Sequence, residues 1–167
     1  MKLAVGVHDA GGSAIVAAVA FDGWDAAEAS RTYTTRVAPV DVLVRSPRGA
    51  GELAGVLQLL REHALVPELI VIDGPVHLDA AEKPGWGRQL FDALGGHSAV
   101  IGISTRAMPG LPAQFEVSRD DESRPLIVTC IGIDLGAAKV RVRTMHGRRR
   151  VPTLMKLAAR LARGGAG

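Results

Sequence analysis

Four acidic side chains stand at or near predicted ends of strands and helices. They are Asp9, Glu52, Asp73 and Asp134. In open α/β sheets, ligands bind beyond the carboxyl ends of the strands. Carboxylates gathered at one such edge are the oxygen ligands that Mg²⁺ takes together with substrate phosphates. We therefore expect these four residues as candidate metal ligands, and two Mg²⁺ ions would stabilise both the attacking and the leaving oxygen of a phosphodiester.

Each of these acids also has an ordinary structural interpretation. An Asp before Gly at the end of an apolar run, as at Asp73, is typical of a turn. Asp134 precedes Leu-Gly-Ala-Ala, which favours a helix N-cap. Glu52 in the first turn of a helix interacts favourably with the positive end of the helix dipole. The metal hypothesis therefore depends on whether the fold brings the carboxylates together.

The segment after Asp73 indicates a second kind of chemistry. It reads GPVHLD, and another histidine, His8, ends the first predicted strand. A histidine beside an orienting carboxylate serves as a general acid–base group or as a metal ligand. The candidate catalytic residues are Asp73, His77, Asp79 and His8. The alternative interpretation is that His77 and Asp79 belong to a surface loop.

These residues must be positioned by a sheet whose strands change character along the chain. Apolar runs at 3–8 and 13–20, joined by a DAGG turn, and a Thr-rich strand at 30–37 predict an antiparallel meander. Helices then alternate with buried strands. Helices are expected at about 52–63, 86–94, 134–145 and 153–163, and strands at 68–73, 98–104, near Phe115 and at 126–132. The pattern predicts an α/β fold with a mixed sheet, antiparallel then parallel, and helices on both faces. The strand order and the placement of the acids together resemble an RNase H-like arrangement.

Composition narrows the class of protein. The 167 residues fit a single domain over 1–167, with a core of aliphatic side chains because only 4% of residues are aromatic. The one cysteine, Cys130, lies in an apolar run and predicts a buried thiol in a reducing cytoplasm. No apolar run reaches the length that crosses a bilayer, and the Ala, Gly and Arg content is typical of a GC-rich bacterial genome. We therefore expect a cytoplasmic bacterial protein without a membrane partner.

Basic residues are concentrated near the end of the sequence. Residues 139–163 carry nine Lys or Arg and no acid, although the net charge is only +3. A local basic patch attracts phosphates, so this segment is a candidate nucleic-acid contact. The residues expected to make that contact are Arg141, Arg143, Arg148, Arg149 and Arg150. A solvated helix face followed by a basic turn is the equally open alternative.

Four segments of the second half carry a resemblance to a known family. PELIVIDG is similar to a strand that ends in a catalytic Asp-Gly, and GWGRQLFDAL with SAVIGIS is similar to a glycine-led helix and the buried strand after it. LIVTCIGIDLGAA and RRRVPTLMKLAARLAR are similar to a strand–turn–helix and to a closing basic, Ala-rich segment. Together they resemble the endonuclease V family, deaminated-base nucleases with an RNase H-like fold. The resemblance implies that fold, metal-dependent cleavage of nucleic acid, and a catalytic role for Asp73.

The first strand departs from the pattern of that family. The family's aspartate follows Gly-Val directly, whereas here His8 follows Gly6-Val7 and Asp9 comes one residue later. A slip of one residue turns a side chain to the other face of the strand. Asp9 can therefore replace the family's aspartate only if the strand ends or bulges there.

Other family motifs are altered as well. Glu52 falls near the position of the catalytic glutamate, and Arg45-Ser46 is a competing match for the family's Arg-Glu pair. Thr105 stands where the family has a lysine, and Ile131-Gly132 stands in place of its Gly-His. The family's His-Gly and His-Pro-Arg segments are replaced by PVHLDAAEK, and its Tyr-X-Pro-Gly wedge is missing.

Three functions remain open from the sequence. The first is an endonuclease V-like, Mg²⁺-dependent phosphodiesterase that acts on nucleic acid with a rearranged site. The second is a noncatalytic relative that binds nucleic acid or another partner. The third is a metal-independent enzyme that uses Asp73, His77 and Asp79 on a small-molecule substrate. Only the first requires a cofactor, and the sequence leaves the oligomeric state open.

Overall fold

A computed structural model of the chain describes residues 1–9, 13–38, 50–120 and 124–164. Within these residues, seven strands and four α-helices follow one another, and a 3-10 turn at Ala113–Phe115 precedes the sixth strand. The strands are β1 (Lys2–Asp9), β2 (Ala14–Phe21), β3 (Arg31–Val37), β4 (Leu69–Asp73), β5 (Ala99–Ser104), β6 (Glu116–Val117) and β7 (Leu126–Ile131). The helices are α1 (Ala50–Glu62), α2 (Trp86–Ala93), α3 (Leu135–Thr144) and α4 (Thr153–Ala162).

The seven described strands form one mixed sheet in the order β3-β2-β1-β4-β5-β7-β6. The first three strands form the expected antiparallel meander, and β1, β4 and β5 run parallel to one another. The mixed α/β sheet predicted from the sequence is confirmed. One strand differs from the expected direction, because β7 pairs antiparallel with β5. The described part of the connection between them holds no helix that would return the chain for a parallel crossover.

Helices cover both faces of the sheet, as the sequence predicts. The face under α1 and α2 buries Leu3 and Val5 of β1 together with Ile70 and Ile72 of β4. The opposite face, under α3 and α4, buries the alternate positions of the same strands, namely Ala4, Leu69 and Val71. This alternation follows from the two-residue period of a strand and identifies the face to which each strand residue points.

Helix α4 crosses β1 at very short range. A Cβ atom on Gly6 would lie 2.7 Å from the backbone carbon of Ala158, a separation that real side chains do not reach. A residue without a side chain is therefore required at Gly6 for α4 to pack here. The close approach at Gly6 therefore sets β1 directly against α4.

The edge strand β3 is bonded to α1 and the residue after it by side chains. His63 Nε2 lies 2.9 Å from the Thr34 carbonyl oxygen, and Gln58 Nε2 donates to the Arg36 carbonyl at 3.0 Å. The Thr35 hydroxyl between them accepts a second hydrogen bond from Gln58 at 3.0 Å. The carbonyls of Thr34 and Arg36, which alternate along the edge strand, are therefore hydrogen-bonded within the molecule.

Cys130 lies on β7 and is half-buried. Its thiol donates to the Ile133 carbonyl at 3.2 Å. Burial, with a further contribution from the negative charge of Asp134, raises the pKa of this thiol to about 11. The group therefore stays protonated and is a poor nucleophile at neutral pH.

Among the described residues, none of the helices combines the length and apolar character that crossing a membrane requires.

Candidate functional site

The carboxyl ends of β4 and β5 form the edge of the sheet that carries Asp73, called the Asp73 edge below. Asp73 pairs with Ile103 of β5, and Gly74 donates its backbone N–H to the Ile103 carbonyl at 3.0 Å. The other four residues of β4 are buried, and only Asp73 reaches solvent. The β1–β4 register sets Ala4 level with Val71, so its continuation places Gly6 level with Asp73.

The chain leaves Asp73 by turning tightly across β5. A Cβ atom on Gly102 would lie 2.3 Å from the Gly74 carbonyl oxygen, so only glycine fits beneath this turn. The backbone N–H of Val76 then donates to the buried Thr129 hydroxyl of β7 at 2.8 Å. These two contacts fix the loop against the sheet and thereby fix the direction of the Asp73 backbone.

The charges around Asp73 define the electrostatics of this edge. Partial burial of the carboxyl raises the pKa of Asp73, the guanidinium of Arg106 opposes that effect, and the negative charge of Glu52 adds to it. Such interactions act over short range, so Glu52 and Arg106 share the edge with Asp73. Glu52 reaches it from the first turn of α1, as the sequence suggests.

Arg106 was not among the residues predicted from the sequence. It comes two residues after the end of β5, directly after Thr105, which stands where the endonuclease V family has a lysine. The sequence did contain a signal for this residue, because Arg106 closely follows a strand that ends at the Asp73 edge. Its position shows that the edge keeps a positive side chain near Asp73.

His8 and Asp9 point to opposite faces of β1. Val5 and Val7 pack under α1 and α2, so His8 alternates to the face under α3 and α4, the same face to which Asp73 points. The strand stays regular through Asp9, which pairs with Ala14 of β2. The strand end or bulge that Asp9 would need is not formed, and the structure does not bring its side chain beside Asp73 on that face.

The expected position of Asp134 at the Asp73 edge is wrong. Because β7 runs antiparallel to β5, its carboxyl end is level with Val100, at the start of β5 and at the opposite edge of the sheet. Asp134 there caps α3, with Oδ2 accepting from the Ala137 backbone N–H at 3.3 Å. The helix N-cap interpretation is confirmed, and Asp134 is not a ligand in a site with Asp73.

His77 and Asp79 lie in a short hairpin that follows Asp73. Asp79 organises its turn, because its Oδ1 accepts from the Lys83 backbone N–H at 3.1 Å and its carbonyl accepts from the Glu82 N–H at 3.0 Å. His77 is only 7% exposed, so the surface-loop interpretation is wrong for this residue. Its Nε2 is buried without a hydrogen-bond partner, and Asp79 therefore does not orient that nitrogen.

The protonation of His77 follows from its position. Burial lowers the pKa of His77; the negative charges of Glu82 and Asp79 oppose that effect, and the positive charge of Arg88 adds to it. The imidazole is therefore neutral at pH 7. A buried, neutral ring with one unpartnered nitrogen does not form the His77–Asp79 acid–base pair that the sequence suggested.

The side chains available as ligands determine which metal ion could bind at the Asp73 edge. Among the described residues, no group of three or more His, Cys, Asp or Glu side chains is arranged to hold a metal ion. The predicted four-carboxylate site is therefore not formed there, and Glu52 with Asp73 is the pair that remains. One Mg²⁺ takes one or two carboxylates with waters and substrate phosphates, so two carboxylates are enough for one such ion but not for two.

The basic residues predicted to bind nucleic acid have different environments. Arg141 places its guanidinium 5.9 Å from the ring centre of Trp24, which follows β2 at the edge opposite Asp73. Arg150 donates to three backbone carbonyls and is only partly exposed. The other three, Arg143, Arg148 and Arg149, are exposed.

Two surface clefts lie away from the Asp73 edge. The larger, of about 470 Å³, is bounded by residues 27–32 and by α4, and it includes Lys156 and Arg160. The smaller, of about 240 Å³, lies between Val37 and α1. Neither is lined by Asp73 or His77, so neither supports a small-molecule site around these residues.

Comparison with solved structures identifies the architecture. Endonuclease V from Streptomyces avermitilis superimposes with a TM-score of 0.76 at 20% identity, over 98% of this chain and 79% of that one. Endonuclease V from Bacillus subtilis gives 0.75 at 15% identity, over 98% and 78%. Endonuclease V (D234N) from Ciona intestinalis, in complex with a 23mer DNA containing an inosine followed by a ribo-adenosine, gives 0.74 at 16% identity, over 98% and 83%. The chain has an endonuclease V-like fold.

Similarity to this fold extends over nearly the whole chain, but sequence identity is low. No protein-family model matches the chain, and no curated protein sequence matches it. At 15–20% identity, the superpositions establish the endonuclease V-like fold alone. The Arg45-Ser46 match lies outside the described residues.

Proposed function

We propose that this protein is a Mg²⁺-dependent phosphodiesterase that acts on nucleic acid and holds a single ion with Glu52 and Asp73. The observation that carries the proposal is the position of Asp73, the exposed last residue of an otherwise buried strand, within electrostatic range of Glu52 in the first turn of α1. The endonuclease V-like fold adds support, since a relative of this fold is bound to DNA. Fold alone does not assign an activity, so the residues have to carry it.

The pair of carboxylates suits a divalent cation. Two negative charges held close together make the ionised form of Asp73 unfavourable, and this is one cause of its raised pKa. A bound Mg²⁺ would remove that penalty and would act as a Lewis acid toward a phosphate oxygen. Glu52 lies in the first turn of α1, where the helix dipole favours a negative side chain.

Arg106 supplies positive charge on the protein side of the same site. Its guanidinium lowers the pKa of Asp73 and therefore lies within electrostatic reach of that carboxyl. A guanidinium binds phosphate oxygens through paired N–H donors. Arg106 is therefore expected to bind the phosphate that approaches Asp73 and to compensate the negative charge that develops on it.

The test combines metal binding with cleavage. Wild-type protein should show a melting temperature that rises with Mg²⁺ concentration, because a ligand that binds only the folded state stabilises it. It should also cleave labelled oligonucleotides, with and without deaminated bases, only when Mg²⁺ or Mn²⁺ is present. Glu52→Gln and Asp73→Asn should each remove both effects, whereas the control Asp79→Asn, in the neighbouring turn, should retain them. Absence of any Mg²⁺ effect on the melting temperature at millimolar concentration would contradict the proposal.

A second candidate function is nucleic-acid binding without cleavage. It is favoured by the absence, among the described residues, of a third side chain that completes a metal site. Affinity that falls steeply with salt, together with intact oligonucleotide after prolonged incubation with Mg²⁺, would favour this candidate. The metal-independent small-molecule enzyme has less support, because His77 Nε2 is buried and Asp79 is used in a turn.

A further inference from the structure

The turn between α3 and α4 lies at the Asp73 edge. It runs from Met145 to Pro152 and includes the basic sequence Gly-Arg-Arg-Arg. Arg150 in this turn donates through Nη2 to the carbonyl of Thr105, the residue that follows β5. Because β5 ends beside Asp73, this bond attaches the turn to the edge that carries the candidate site.

Arg150 is only partly exposed, and its guanidinium is hydrogen-bonded within the protein. Besides Thr105, its guanidinium donates to the Arg124 carbonyl at 2.7 Å and to the Pro125 carbonyl at 3.2 Å. These carbonyls belong to the segments that leave β5 and enter β7. The Nε and Nη2 donors of Arg150 therefore connect the turn to the segments next to two strands of the sheet.

Arg119 holds the same turn from the other side. It follows β6, and it donates to the carbonyls of Val142, His146, Gly147 and Arg149. Partial burial lowers the pKa of Arg119, but a guanidinium remains charged at any physiological pH. A cation at this point also satisfies carbonyls at the end of α3, where the helix dipole is negative.

Other contacts restrict the backbone of the turn further. Gly147 has a φ of +118°, a conformation that favours glycine. The His146 carbonyl accepts from the Thr153 backbone N–H at 2.8 Å, and His146 Nδ1 lies 2.9 Å from the Thr153 hydroxyl. The turn is therefore fixed before any ligand arrives, which reduces the entropy lost on binding.

Arg148 and Arg149 remain as the exposed cations of the turn. Within the described part of the chain, neither side chain forms a salt bridge. We propose that Arg148 and Arg149 bind backbone phosphates of a nucleic acid, and that Arg119 and Arg150 are positioning residues that hold the turn at the Asp73 edge. The inference rests on the proposed function and adds to it the surface that receives the strand.

The first experiment measures binding of a labelled 20-base-pair duplex by fluorescence anisotropy over a range of salt concentrations. Each phosphate contact contributes about 0.9 to the slope of log affinity against log salt. The double variant Arg148→Ala/Arg149→Ala should therefore lower the slope by about 1.8 and keep its melting temperature. The matched control, Arg160→Ala/Arg163→Ala, removes the same charge from exposed positions near the end of α4 and should leave the slope unchanged. Equal slopes for the two double variants would overturn the proposal.

The second experiment tests the positioning role by a double-mutant cycle. Lysine keeps the charge but lacks the planar set of donors, so Arg150→Lys and Arg119→Lys should each weaken binding in the wild-type background. In the Arg148→Ala/Arg149→Ala background, the same substitutions should cause no further loss. An equal loss in both backgrounds would assign Arg119 and Arg150 a general structural role and would overturn that part of the proposal. All variants are compared well below their melting temperatures.

The outcomes separate this inference from the proposed function. Binding that depends on Arg148 and Arg149, without Mg²⁺-dependent cleavage, would support the inference and contradict the phosphodiesterase. Cleavage that is lost in Asp73→Asn but unchanged in Arg148→Ala/Arg149→Ala would support the phosphodiesterase and overturn the inference. A wild-type protein that binds no oligonucleotide would overturn both.

Discussion

The ends of β4 and β7 look alike in the sequence and have opposite roles in the structure. Each is a buried strand followed by an aspartate near a glycine, Asp73 in one case and Asp134 in the other. Asp73 lies at the edge of the sheet opposite to Asp134, within electrostatic range of Glu52 and Arg106, and burial raises the pKa of its carboxyl. Asp134 lies at the opposite edge and caps α3. The comparison teaches that strand direction, rather than local sequence, decided which acid was available for chemistry.

The same comparison contrasts the environments of the two carboxyl groups. Asp134 accepts a backbone hydrogen bond from the Ala137 N–H, so its side chain contributes to the fold as a helix cap. Asp73 has a raised pKa because burial and Glu52 oppose its charge. A carboxylate that the fold disfavours is what a metal or substrate site is expected to contain.

The largest expected effect distinguishes the two acids by activity. Asp73→Asn should lower the rate of Mg²⁺-dependent cleavage by at least about 100-fold, because a ligand of the ion is lost. Asp134→Asn should leave the rate unchanged, since asparagine also caps a helix. Initial rates on one oligonucleotide substrate at saturating Mg²⁺ measure both. Similar losses of cleavage rate in the two variants would contradict the different roles of Asp73 and Asp134.

A second prediction concerns the turn that orients Asp73. Gly102→Ala should lower the free energy of unfolding by about 1–3 kcal/mol, because the added methyl group meets the Gly74 carbonyl oxygen. Urea denaturation followed by circular dichroism measures the change. Gly51→Ala is the matched control, since a Cβ atom there meets nothing within 4 Å and alanine favours the helix. Equal stabilities of the two variants would show that the turn tolerates a side chain.

A third prediction measures the cap on α3. Asp134→Ala should lower the free energy of unfolding by about 1 kcal/mol, since one helix N–H loses its side-chain acceptor. Asp134→Ser should recover most of that loss. Cleavage should be unaffected in both variants, and a loss of activity well below the melting temperature would return Asp134 to the list of site residues.

The smallest expected effect is a pH dependence of stability. Because the pKa of Asp73 lies above its ordinary value of 3.8, the folded state binds this proton more tightly than the unfolded state. The protonated carboxyl of Asp73 therefore adds stability that is fully present below pH 3.8. This contribution is lost as the pH rises from 3.8 through the pKa that Asp73 has in the folded state. Asp73→Asn should match wild type near pH 3.5 and exceed it in melting temperature at pH 7, without added metal. A wild type that is the more stable protein at pH 7 would contradict the raised pKa.

Most of the fold could be predicted from the sequence. The described strands and helices agree with the predicted ones within about two residues, because apolar periodicity, Pro67 and Pro152 determine where they begin and end. The direction of β7 could not be predicted, since antiparallel and parallel buried strands share the same apolar pattern. Because β7 was expected to run parallel to β5, Asp134 was predicted at the Asp73 edge instead of the opposite edge of the sheet.

The site was less predictable for a related reason. Asp73 and Glu52 were identified because each stands at the end of an element, and the structure brings them to one edge. His77 was predicted as a candidate catalytic residue, with a surface loop as the alternative, yet its side chain is buried, and no pattern in a single sequence indicates that burial. Arg119 was missed because its partners are backbone carbonyls about 20 to 30 residues away. Every residue has such a carbonyl, so the amino-acid sequence does not indicate which of them accept these hydrogen bonds.

The hydrogen bonds on β3 have a consequence for behaviour at high concentration. An edge strand with free carbonyls is a template on which a strand of another molecule can pair and begin aggregation. In this sheet, Gln58 and His63 occupy carbonyls of β3, and β6 at the other edge is only two residues long. The two ends of the described sheet are therefore poor surfaces for intermolecular strand addition, and this protection depends on helix α1, which also carries Glu52 to the candidate site.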